Sequence, residues 1–65
     1  MLIHAFEKPV EEMSLGEARL AYDDAVRNMC YDEICAVEQY PEAREDDGPK
    51  VAACKRIWRR IRALA

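Results

Sequence analysis

Gly48-Pro49-Lys50-Val51-Ala52-Ala53-Cys54-Lys55-Arg56-Ile57-Trp58-Arg59-Arg60-Ile61-Arg62-Ala63-Leu64 is the stretch that decides the fold. Stepped at about 100° per residue, Val51, Cys54, Ile57, Trp58, Ile61 and Leu64 fall within an arc of roughly 140°. Lys55, Arg56, Arg59, Arg60 and Arg62 fill the opposite side. Proline suits the first helical position, where an N–H would have no partner and its fixed φ is already helical. The spacing predicts an amphipathic helix over 49–64, with Trp58 as a core anchor.

Working back from it, residues 41–48 read as an acidic linker. Pro41 opens it, Glu42, Glu45, Asp46 and Asp47 charge it, and Gly48-Pro49 closes it. A second helix is predicted over about 14–29. Ser14 followed by Glu17 has capping-box spacing, with Met13 placed as the hydrophobic residue before the cap. Leu15, Ala18, Ala21, Tyr22, Ala25, Val26 and Met29 then share one face, with Leu20 as the apolar exception. Prolonging that helix would carry Asp32 and Glu33 onto the apolar face, where an unpaired carboxylate is costly. A stop or kink near Asn28 to Tyr31 is therefore expected.

Residues 32–40 are ambiguous. Helical spacing groups Tyr31, Ile34, Cys35 and Glu38, whereas strict alternation would make a strand able to pair with residues 2–6. A short helix is the preferred reading. Residues 1–13 read as an extended N-terminal arm, because Pro9 biases Lys8 away from helical backbone. The fold class is thus all-α: a small single domain of two principal amphipathic helices, a short third segment and that arm.

Charge is sorted along the chain. Residues 1–47 hold thirteen Asp/Glu and four Lys/Arg, a formal −9, while residues 48–65 hold six Lys/Arg and no acid, giving −3 overall. Two surfaces follow. Asp23, Asp24, Asp32, Glu33, Glu38, Glu45, Asp46 and Asp47 are candidates for an acidic face that docks on a basic groove of a larger protein, where opposite potentials speed and select association. The bland alternative is a solvated surface that keeps a small apolar protein soluble. Lys55, Arg56, Arg59 and Arg60 are the alternative set, placed to contact phosphates. Their bland alternative is internal pairing, or support of the negative end of the last helix. Direct nucleic-acid binding is disfavoured by the surrounding −9.

Several classes are set aside. No run of about 18 apolar residues exists to span a membrane, and the N-terminus lacks the basic region of a signal peptide. Three cysteines, an odd number, fit reduced thiols in a cytoplasmic protein. Cys30, Cys35 and Cys54 lack a paired fourth ligand for zinc, and no calcium loop is present. His4, the single histidine, stands in no catalytic signature. No phosphate loop or serine elbow occurs. The expectation is a non-enzymatic protein with no cofactor and no metal.

In size, acidity and helical class the chain resembles phage-encoded inhibitors of host nucleic-acid enzymes, including anti-CRISPR proteins, without sharing a motif with them. That resemblance implies a DNA-mimic role in which the acidic set stands in for phosphates. A small nucleic-acid-associated protein and a homo-oligomeric module, for example a homodimer, are the competing readings. The inhibitor reading requires the carboxylates to stay outward instead of being neutralised by the arginines of the final helix.

Overall fold

Three helices follow a single 3-10 turn at Val10–Glu12: α1 (Leu15–Val26), α2 (Tyr31–Gln39) and α3 (Pro49–Leu64). The computed structural model describes residues 9–65, so the expected arm over 1–8 lies outside the described residues. Within 9–13 the chain is not extended throughout, as the arm reading had it. Pro9 caps the 3-10 turn, and the Glu12 N–H returns to the Pro9 carbonyl at 3.0 Å.

α1 and α2 start where the sequence supplies side-chain partners for free N–H groups, and α3 starts at a proline that has no N–H to satisfy. At α1, the Ser14 hydroxyl accepts from the Glu17 N–H at 3.2 Å, and the Glu17 carboxylate accepts from the Ser14 N–H at 2.9 Å. Both halves of the box are made, satisfying donors that the helix itself cannot. Met13 and Ala18, on either side of this cap, are buried in the same cluster. At α2, the Cys30 N–H donates to Glu33 at 3.0 Å. The segment is helical over Tyr31–Gln39, with Tyr40 as its C-cap, and the strand alternative is overturned; no strand occurs among the described residues. α1 ends at Val26, three residues short of the expected 29, in a turn closed by Asn28 N–H to Ala25 and Met29 N–H to Val26. α3 begins at Pro49 as expected.

α3 packs against α1, α2 and the 3-10 turn. The main core joins Ala18 and Ala21 of α1 to Ile57 and Ile61 of α3, with Met13 above and Leu15, Tyr22, Ala25 and Trp58 around it. Alanines on α1 let its backbone approach α3 closely, at the expense of apolar area per residue. Val37 of α2 and Cys54 of α3 are fully buried as well. Tyr22 and Trp58 stack at 5.2 Å between centroids, tilted by 34°. Leu64, expected on the core face, is 39% exposed in the last turn of α3.

Lys55 departs from the helical wheel. The pattern places it among the solvent-facing cations, yet it is 1% exposed. It lies about 40° beyond Val51 on the wheel, at the edge that meets α2 and the linker. From there its stem reaches inward, and Nζ donates to both Asp47 oxygens at 2.9 Å and to the Glu42 carbonyl at 3.1 Å. Asp47 also accepts from the Arg44 N–H at 3.0 Å. The linker is thus folded around one ammonium.

Removing one partner of a buried pair strands the other's charge, whereas replacing both with apolar side chains is far milder. Lys55→Met should lower the thermal midpoint by more than about 10 °C, and Lys55→Met combined with Asp47→Leu should recover most of the loss, as followed by circular dichroism. The pair also sets an acid limit. Lys55's hydrogen bonds dominate in holding the Asp47 carboxyl below the ordinary aspartate range; desolvation opposes them and the Arg44 N–H adds to the lowering. A depressed folded pKa means that the folded protein binds fewer protons than the unfolded chain, so this contribution is complete above the unfolded value of about 3.9 and is lost as pH falls through the depressed one. Urea midpoints measured between about pH 5 and pH 2 should fall less steeply in Lys55→Met than in the wild type.

Candidate functional site

Acidic residues cluster on α1, α2 and the linker because the chain places them at element ends. Asp23 and Asp24 occupy the last turn of α1, and Asp32 and Glu33 the first turn of α2. The two pairs flank the same short turn. Asp32 and Glu33 suit the positive start of α2, whereas Asp23 and Asp24 sit at the negative end of α1, where a carboxylate is disfavoured.

Of the candidate acidic residues, Asp23, Asp24, Asp32, Glu38, Glu45 and Asp46 are exposed, and Glu33 is half-buried. The side chains of Asp24, Asp32 and Glu45 have no hydrogen-bond or ion-pair partner among the described residues. Asp23 faces Arg27 at 4.0 Å and Asp46 faces Arg44 at 3.7 Å, in pairs whose four side chains are all at least half exposed. Such pairs leave most of each charge to solvent. Glu33 is occupied in capping α2, and Glu38 accepts from the Tyr22 hydroxyl at 2.7 Å. Asp47 must be removed from the set, because its side chain is only 10% exposed and bound to Lys55.

The basic candidates divide differently. Lys55 is withdrawn from any surface. Arg59 Nη1 donates to the Pro41 carbonyl at 2.6 Å, and Arg60 Nε to the Met13 carbonyl at 2.9 Å. Lys50 does the same for the Asn28 carbonyl at 2.8 Å. Arg56 alone of these turns to a carboxylate on the surface, Glu11, at 3.1 Å. The backbone hydrogen bond to Glu11 and then Arg56 hold its carboxyl below the ordinary range. The cations of α3 therefore bind mainly backbone carbonyls, and they neutralise two carboxylates, Glu11 and Asp47.

Two exposed aromatics border the acidic elements. Tyr31, 78% exposed, opens α2, and Tyr40, 50% exposed, closes it with the Arg44 guanidinium 5.5 Å from its ring centre. A hollow of about 350 Å³ beside Tyr40 is floored by Lys55 and Asp47. A second, of about 200 Å³, is lined by Val10, Glu11, Arg56, Arg59 and Arg60. Arg56, Arg59 and Arg60 are three of the four cations expected to contact phosphates; Val10 and Glu11 were not legible beside them, since that depends on where the 3-10 turn lies against α3.

The cysteines are free thiols, exposed at 30, half-buried at 35 and buried at 54. Burial first, and the Glu38 charge second, push the Cys54 thiol up to about 11. Among the described residues no three His, Cys, Asp or Glu side chains are grouped to hold a metal ion, and no helix is long and apolar enough to cross a membrane. No protein-family model matches the chain, and comparison with curated proteins and with solved structures gave no match.

Two measurements check these placements. Asp24→Asn removes a charge from the disfavoured end of α1 with little change in helix propensity. It should raise stability by about 0.3–1 kcal/mol in urea unfolding at low salt. In native protein, iodoacetamide should alkylate Cys30 and spare Cys54, which reacts only on unfolding; equal labelling of both would contradict the burial of Cys54.

Proposed function

We propose that this protein is a non-enzymatic binding module that presents its acidic face to a basic surface on a larger protein and acts by occlusion. The observation that carries the reading is the use of the α3 cations. Four of them, Lys50, Lys55, Arg59 and Arg60, hold backbone carbonyls. Asp23, Asp24, Asp32, Glu45 and Asp46 are left exposed. Two of these, Asp23 and Asp24, stand at a helix end that disfavours them, a cost that solubility alone does not require.

A protein groove that accepts nucleic-acid phosphates is the partner whose chemistry best fits this face, which makes DNA mimicry the mode of occlusion. Anti-CRISPR proteins and other phage-encoded inhibitors of nucleic-acid enzymes act in that general manner, and their character is what the chain resembles. Tyr31, exposed beside Asp32, supplies the kind of aromatic contact on which interface energy concentrates. The three free thiols suit the cytoplasm, where thiols are kept reduced.

Affinity capture from the native host tests this with wild type and with a variant carrying Asp23→Asn, Asp24→Asn, Asp32→Asn and Glu45→Gln. The wild type should retain one large basic protein, release it as salt is raised, and lose it to competing duplex DNA. The variant should fold and retain none. Recovery of the same partner by both forms would reject the acidic face.

A further inference from the structure

We propose that the arginine-lined hollow between the 3-10 turn and α3 is a binding site for a dianionic phosphate group. The site uses Arg56, Arg59 and Arg60, with Glu11 as an internal occupant that the ligand displaces. It is made by residues outside the acidic face and stands independently of that reading.

Three observations carry it. Arg56, Arg59 and Arg60 border one hollow together with Val10 and Glu11. Two of the guanidiniums are fixed without being neutralised: Arg59 and Arg60 each give one N–H to a backbone carbonyl. A guanidinium has five donors, and the remaining ones on these two have no partner among the described residues. Arg56 holds Glu11 through an exposed pair, its side chain 52% and that of Glu11 67% accessible. Such pairs contribute little, so an incoming anion meets small resistance in replacing the carboxylate.

Charge and size select the ligand class. Three guanidiniums against one carboxylate leave the hollow at +2, which matches a phosphate monoester or free phosphate, about −1.5 to −2 at neutral pH. A phosphodiester carries a single charge and brings neighbours that the acidic remainder of the chain repels. At about 200 Å³ the hollow is below the roughly 300 Å³ from which whole-ligand pockets begin. It holds the phosphate and leaves the rest of the ligand in solvent. Planar, forked donors suit that geometry better than ammonium groups.

The test is titration of the full chain with inorganic phosphate, with adenosine monophosphate and with a short DNA duplex at constant ionic strength. Readouts are the arginine Nε–H resonances and the thermal midpoint. Arg59 and Arg60 anchor the linker and the entry to α1, so the variants are Arg56→Gln and Glu11→Gln, which touch only the exposed pair. Inorganic phosphate and the monophosphate should both bind saturably and with similar affinity. Arg56→Gln should weaken binding about tenfold. Glu11→Gln should tighten it roughly threefold by removing the competing carboxylate. Absence of saturable phosphate binding, indifference to both substitutions, or binding of the duplex without binding of inorganic phosphate would each overturn the assignment. None of these outcomes involves Asp23, Asp24, Asp32 or Glu45.

Discussion

The hydrogen bonds from the cations of α3 to the carbonyls of the other elements are what the rest of this structure depends on. Met13 precedes α1, Asn28 lies between α1 and α2, and Pro41 and Glu42 begin the linker; each of their carbonyls takes a bond from α3. One helix thereby fixes every connection in the described chain. Hydrogen bonds to charged donors are stronger than neutral ones, and a chain of this size has few other means. Its main core centres on two alanines, two isoleucines and a methionine, and small domains bury a low fraction of their surface.

That arrangement also decides the surface. A cation that holds a carbonyl still carries its charge, but its position is set by the fold and not by the nearest carboxylate. The chain can therefore hold thirteen acids and ten bases without cancelling them pair by pair. Negative charge remains on α1, α2 and the linker, and positive charge collects between α3 and the 3-10 turn. Both surfaces are consequences of one packing solution. The acidic one fits a basic partner, and the basic one fits an anion small enough to enter a shallow hollow.

Periodicity carried the reading of the helices. The arc of Val51, Cys54, Ile57, Trp58 and Ile61 and the Ser14–Glu17 box depend on residue type at fixed spacing, and both stand in the fold at those positions. Residues 32–40 were ambiguous because nine residues support either period. A signal for the helix was present but went unread: Cys30 with Glu33 three residues on has the spacing of a capping box without its usual hydroxyl. Lys55 and Asp47 were not legible. Four acids crowd residues 42–47, and which of them meets the buried ammonium depends on the path of the linker. The carbonyl partners of Arg59 and Arg60 could not be read at all, since every residue carries a carbonyl and only tertiary structure selects one. Arg56, Arg59 and Arg60 share a helix face by their spacing, but that Val10 and Glu11 close a hollow with them was hidden for the same reason.

Salt separates the two ways in which the final helix could hold this molecule together. Were its cations bound chiefly to carboxylates, raising sodium chloride from about 20 mM to about 0.5 M would screen those attractions and lower the urea midpoint. Anchoring on carbonyls leaves unpaired carboxylates whose mutual repulsion salt relieves, so the urea midpoint should rise across that range. A fall in the midpoint would mean that the negative side chains are already neutralised within the fold, and no acidic face would remain to meet a partner.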